Sequence, residues 1–418
     1  MKYRVALLIA VLAAILAAQV STGNGPPSAS TPGPIYVQKD GATGLYLWAL
    51  TSAGWRRQGD GAVPPTAGYW VSTTGSDSNP GTFAAPWRHL SKAAAVATHP
   101  GDIVTVMDGT YDNEGVIAPN FVATINSTGT AVAPITFQAQ NRGAAILDSG
   151  NTVTDASPCN GASAYFNIAN SSYLVIQGFV MQHACDGGLQ ANGSAHHVTI
   201  RWNEIRYIAN RIITDQIGRD GVYLNAGEHD FNLDGNTFHN IGRVSGQALN
   251  QFDHGIYAAA QNVTISNNTF YSMTKGWPIT QSDGAANWLV AFNTFYGSSA
   301  GVGQMMLWNS VTGITIRNNI FYLPTTAAIT RYTSTANGCT VDHNIVWGVS
   351  LMMSDATGCN VDNTNKWNVN PLLVNAPAFD FHLTSASPAI GAGLSVPAVT
   401  IDHDGRTRKN PPSIGAYE

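Results

Sequence analysis

Charge is scarce in this chain. Only 11% of its 418 residues are Asp, Glu, Lys or Arg, against 44% hydrophobic residues. A disordered chain needs the opposite balance, so there is material here for a large core. The little charge present leans acidic, with 20 basic against 25 acidic residues. That excludes the basic footprint of a nucleic-acid binder, and no nucleic-acid partner is expected. Cysteine is scarce too. Cys159, Cys185, Cys339 and Cys359 are the whole supply, and none shows the C-x-x-C spacing of metal sites.

Long apolar runs are missing but for residues 5–18, which follow Lys2 and Arg4. Fourteen residues are short for a membrane span and suit the apolar region of a secretory signal. The expectation is a signal peptide over 1–18, export, and no stable membrane insertion after cleavage. Loss of Lys2 and Arg4 leaves 18 basic against 25 acidic residues, a formal charge of −7. In an exported chain an even cysteine count allows two disulfides.

Gly is abundant, at 42 residues, and Asn, Ser and Thr are frequent, which suits a fold with many tight turns. Residues 19–34 read as a flexible linker. Residues 35–66 alternate apolar and polar positions around Lys39-Asp40-Gly41 and read as a small β-hairpin unit. The main body is expected over 67–418. Within it, 88–97 place Leu90, Ala93, Ala94 and Ala97 on one face of a short helix. A solenoid needs its end covered, and this helix is the candidate cap.

One pattern recurs six times: an apolar residue, two variable residues, Asn, one residue, an apolar residue. Its asparagines are Asn203, Asn236, Asn268, Asn293, Asn319 and Asn344, spaced by 33, 32, 25, 26 and 25 residues. A period near 25 with three short strands per repeat makes each repeat one coil of a tube. Coils then stack at about 4.8 Å. The recurrent Asn fits a turn, with a left-handed backbone and an amide bonded to the Asn one coil away. Blades of about 40 residues, as in a propeller, do not fit this period. The expected fold is all-β, a single-stranded parallel β-helix with a short N-terminal capping helix. Cysteines at corresponding points of neighbouring coils pair Cys159 with Cys185 and Cys339 with Cys359.

The opening YWVSTTGSDSNPGT (69–82), the helix, GDIVTVMDGTY (101–111), and the close SPAIGAG (387–393), IDHDGRTR (401–408) and PSIGAYE (412–418) resemble secreted pectate-lyase-like β-helix proteins. The resemblance covers about residues 69–418. It implies a right-handed parallel β-helix and a polysaccharide partner. It is less specific for the reaction, because lyases, hydrolases, epimerases and inactive proteins share this superfamily.

A second element recurs: an ionisable residue before Gly and a short strand, at Asp186, Asp220, His254 and Lys275. Two coils here are lengthened, within 206–219 and 239–253, and carry Arg206, Arg211, Arg219, Arg243 and Asp253. Extra loops on one face of a solenoid form binding walls. The bland alternatives are turn-forming Asp-Gly pairs, a solvated Lys275 and a stacking Tyr ladder. Jointly, these residues suit elimination on an acidic polysaccharide, which needs a base, a proton donor and a cation for the uronate carboxylate. Lys275 or His254 is the candidate base and Tyr257 or Tyr223 the proton donor. Arg211, Arg219 and Arg243, with Tyr223, are the candidate substrate-binding set. Asp186, Asp220 and Asp253 are candidate oxygen ligands for Ca²⁺. No organic cofactor and a monomer are expected. Pectate lyases of this fold use Asp-bound Ca²⁺ with a Lys or Arg base, although this chain lacks the adjacent Asp-Asp pair of the closest such relatives. DHGIY (253–257) is distantly similar to alginate epimerase sites. A glycosidase using Asp186 and Asp220, and a non-catalytic carbohydrate-binding surface, stay open.

Overall fold

In the computed structural model the chain forms two units, residues 1–66 and 67–418. The structure describes residues 68–151, 159, 161–213, 217–246, 252–299, 301–332, 336–349 and 351–418, together with the backbone of 20–24, 35–40, 44–51 and 54–58. The expected signal segment lies outside the described residues. In the first unit, strands Ile35–Asp40, Gly44–Thr51 and Gly54–Gln58 pair antiparallel in sequence. Strand Val20–Asn24 joins them, parallel to Ile35–Asp40, so part of the segment expected to be a linker is a strand.

The second unit is a right-handed parallel β-helix. Among the described residues its three walls contain 11, 10 and 8 strands. Each coil runs from the first wall to the second and on to the third. One coil is Ser172–Gln177, Phe179–Gln182 and Gly187–Asn192. Alternation makes the walls: along Ser172–Gln177 the odd positions are half-exposed and the even ones buried. The buried positions stack into columns. Phe238, Phe270, Phe295 and Phe321 lie face to face at 4.9, 4.8 and 4.9 Å between ring centres.

The Asn repeat marks the corner between the first and second walls. The Asn236 amide donates to Oδ1 of Asn268 at 3.0 Å, and Asn268 donates to Asn293 at 3.0 Å. The ladder runs from Asn203 to Asn365. The left-handed backbone falls on the residue before each ladder Asn from Asn203 to Asn344, as at Trp202, Asn267, Phe292 and Asn318. This corrects the expectation that Asn itself adopts it. With that kink in place, each ladder Asn points inward and its Oδ1 also accepts the backbone N–H of the preceding coil's Asn.

Both expected disulfides form, Cys159–Cys185 and Cys339–Cys359, with Cα separations of 5.9 and 4.5 Å. The helix Leu90–Val96 packs on the first coils through buried Leu90, Ala93 and Ala94. Among the described residues no helix is long and apolar enough to cross a membrane. The C-terminal segment returns along the Asn-ladder corner, where Arg408 donates to Asn267 and stacks on Phe292.

Candidate functional site

The third wall carries the site, and its register is set by apolar residues. Leu189 pairs with Val222, Val222 with Ile256, and Ile256 with Ile279. This alignment differs from one that matches each residue before Gly. Gly187, not Asp186, lies beside Asp220, and Asp220 lies beside His254. By the same pairing, Trp277 rather than Lys275 continues the column, and its ring stacks on His254 at 6.3 Å. Asp186, Arg219 and Asp253 form the neighbouring column.

Glycine makes these columns possible. A Cβ on Gly221 would meet the Gly255 carbonyl at 2.6 Å and the core side chain of Ile241 at 2.9 Å. Its absence lets Gly221 face the core, and Asp220 before it and Tyr223 beyond it line one cleft together. The rings of His254 and Tyr257, three positions apart, are therefore 5.2 Å apart. Tyr223 and Tyr257 stack at 5.7 Å and 13°.

These residues line a cleft of about 470 Å³. Its floor holds Asp186, Arg219, Asp220 and His254, its wall Gln190, Tyr223 and Tyr257, and its lip Ile217 and Phe252. The two lip residues are 67% and 43% exposed, apolar area beside the polar floor. His254 Nδ1 lies 2.8 Å from Asp220 Oδ1, and both are buried. Burial pushes the Asp220 carboxyl up, against the lowering effect of His254. Arg219 Nε lies 2.6 Å from Asp186 Oδ1, whose other oxygen accepts from Ser163 at 2.6 Å. The Tyr257 hydroxyl lies 2.6 Å from Ser282 Oγ.

A family model described as the Pel9A-like, right handed beta helix region, matches residues 69–288, just over half of the chain. The chain belongs to the Pel9A-like β-helix family. The matched stretch contains every residue lining the cleft. Among solved structures, one titled a glycoside hydrolase is similar at 8% identity and a TM-score of 0.52, over 77% of this chain and 99% of that one. XylC in complex with xylose gives 14% and 0.51, over 68% and 66%. Pectate lyase Pel9A gives 16% and 0.47, over 84% and 96%. These likenesses are of fold. No curated protein sequence matches the chain.

Within this Pel9A-like chain the expected site residues divide. Asp186, Arg219, Asp220, Tyr223, His254 and Tyr257 meet at the cleft. Arg243 and Asp253 do not open onto it. Both are fully buried, with Nε and Nη2 of Arg243 donating to the two Asp253 oxygens at 2.7 and 2.8 Å. Arg243 also donates to the Ile217 carbonyl at 2.8 Å, so the pair holds up the lip from behind. Arg211 is buried within the lengthened loop, whose strand Ile212–Ile213 pairs with Ser245–Gly246 of the next. Lys275 is half-buried and outside the cleft lining.

The three Asp residues do not fit a Ca²⁺ site. The carboxylates of Asp186, Asp220 and Asp253 are engaged by Arg219, His254 and Arg243 in turn, and a cation would have to displace each partner. Ser163, Gln190, Ile217 and Phe252 were missed by sequence reasoning. Ile217 and Phe252 carry a usable signal, a large apolar residue at the end of each lengthened loop.

Proposed function

We propose that this is an exported, carbohydrate-active β-helix protein that cleaves an acidic polysaccharide by β-elimination in the third-wall cleft. The observation that carries the reading is the 2.8 Å contact between Asp220 and His254 under Tyr257. Asp220 accepts the Nδ1 proton of His254, which leaves Nε2 as the base. His254 takes the proton on the carbon beside the uronate carboxylate. The electron pair forms the C=C bond as the glycosidic C–O bond breaks. The Tyr257 hydroxyl gives its proton to the leaving oxygen and regains one through Ser282 or solvent. Arg219 is the cation that the uronate carboxylate approaches. Membership of a family named for Pel9A supports elimination, since that relative is titled a pectate lyase. Two disulfides suit the oxidising compartment that export implies.

Purified protein is screened against pectate, alginate and neutral glucans for ultraviolet-absorbing unsaturated ends. The expected result is an unsaturated product from one polyuronate, reduced at least ~10²-fold in His254→Ala, the scale of a lost general base. New reducing ends without absorbance would overturn elimination. They would favour a second reading, hydrolysis with Asp220 as the acid, which rests on the upward push that burial gives its carboxyl.

A further inference from the structure

At the corner where the third wall turns into the first, three imidazoles converge. His196 and His229 are paired across adjacent strands, and their rings stack at 4.9 Å and 2°. Ordinary strand alternation would send His197 to the opposite face from His196. His197 instead has a left-handed backbone, φ 54°, which brings it round to the same side. Its Nδ1 lies 2.8 Å from Nδ1 of His196. One nitrogen from each of the three rings falls within 4.8 Å of the others. Asp230, also left-handed at φ 58°, completes the group: its Oδ2 is 2.6 Å from Nδ1 of His229 and 3.7 Å from Nδ1 of His197. Among the described residues no other His, Cys, Asp or Glu group closes on a point in this way.

We infer that His196, His197 and His229, with Asp230, form a site for a divalent transition-metal ion of borderline softness, Zn²⁺ being the natural probe. Neutral imidazole nitrogens and one carboxylate are the donors such ions select, and hard Ca²⁺ is disfavoured by them. Zn–N bonds are about 2.0–2.1 Å, and donors within 4.8 Å of one another surround a point on that scale. The His196–His197 and His229–Asp230 contacts are bridged by protons in the metal-free protein, and the ion takes their place. Asp230 supplies a carboxylate oxygen and negative charge. The ion clips two successive coils that no disulfide joins to each other. It lies past the turn that follows Tyr223, on a different wall from the cleft, so its binding is separable from cleavage.

The neighbouring coil suggests the variant. The position of His229 is Gln261 one coil on, and that of Asp230 is Asn262, itself left-handed. His197→Asn/His229→Gln therefore installs residues this corner already accommodates. Tag-free, full-length protein stripped with chelator is titrated calorimetrically with ZnCl₂ and, separately, CaCl₂, and melted with and without each. The expected result is one Zn²⁺ per chain, a higher Tm with Zn²⁺ and none with Ca²⁺. The double variant should lose both effects while keeping the metal-free Tm, and Asp230→Asn should bind about 10–100-fold more weakly. Wild-type protein that takes up no Zn²⁺, or a double variant that binds as the wild type does, would overturn the site. Should the variant misfold, modification of wild-type histidines by diethylpyrocarbonate decides: Zn²⁺ must protect His196, His197 and His229, and their unchanged labelling refutes the inference.

Discussion

At the corner between the first and second walls one residue type repeats: Asn236, Asn268, Asn293, Asn319 and Asn344 each serve the next. At the cleft edge of the third wall nothing repeats: Gly187, Asp220, His254 and Trp277 share one column, and Asp186, Arg219 and Asp253 the next. Both places bury polar groups in stacked coils and pair their side chains from coil to coil. The Asn column does so by identity, because an amide is donor and acceptor at once and any two neighbours fit. The third-wall columns do so by complementarity, Asp against Arg and Asp against His. A self-complementary column can be extended indefinitely and binds nothing. A heterogeneous one ends in groups that face outward with chemistry of their own.

Breaking the complementary column should have the largest effect. Asp253→Ala leaves Arg243 buried beside an empty position, and thermal or urea unfolding should show a loss of about 3–5 kcal/mol. Replacing both partners by apolar residues should recover much of it. Breaking the ladder comes next. Asn268→Ala strands the Asn236 N–H, the Leu233 carbonyl and the Asn293 side chain, and should cost about 3 kcal/mol by the same measurement.

Glu228 sharpens the contrast, because it belongs to neither plan. It is a buried carboxyl between Ala195 and Ala260 of the adjoining coils, and burial pushes it up from 4.5 to about 7. Folding then takes up a proton between those two values, so its contribution to stability falls as pH rises from 4.5 towards 7. Glu228→Gln should raise stability at pH 8 by on the order of 2 kcal/mol and change little at pH 4. Equal Tm differences at both pH values would contradict this. The smallest effect is expected at Lys275, which stands two residues before the column. Lys275→Ala should leave turnover within about twofold and stability within about 0.5 kcal/mol.

The contrast also explains what could be read in advance. The Asn period was legible because each ladder position demands the same residue, and so were the disulfides, because covalent geometry needs cysteines stacked one coil apart. The capping helix was legible from the spacing of Leu90, Ala93, Ala94 and Ala97. Cleft residues such as Asp220, His254, Tyr223 and Tyr257 were found, but their register was not. Aligning each residue before Gly shifted Asp186 by one position and Lys275 by two. Leu189, Val222, Ile256 and Ile279 decide the stacking by packing in the core, and the residues before each Gly fall wherever that apolar register leaves them.

By itself, then, the sequence determined the solenoid: apolar alternation dictates the walls, and a self-complementary Asn at a near-constant period dictates the corner. Only the tertiary structure decided which charges face out. Arg243 and Asp253 looked like a substrate-binding cation and a metal ligand, yet they neutralise each other inside the wall, because an unpaired buried charge is far costlier than a paired one. His196, His197 and His229 were unremarkable in the chain, and a left-handed residue brings their three rings to one point. Such pairings depend on which coil lies above which, and on which way a kinked residue turns its side chain.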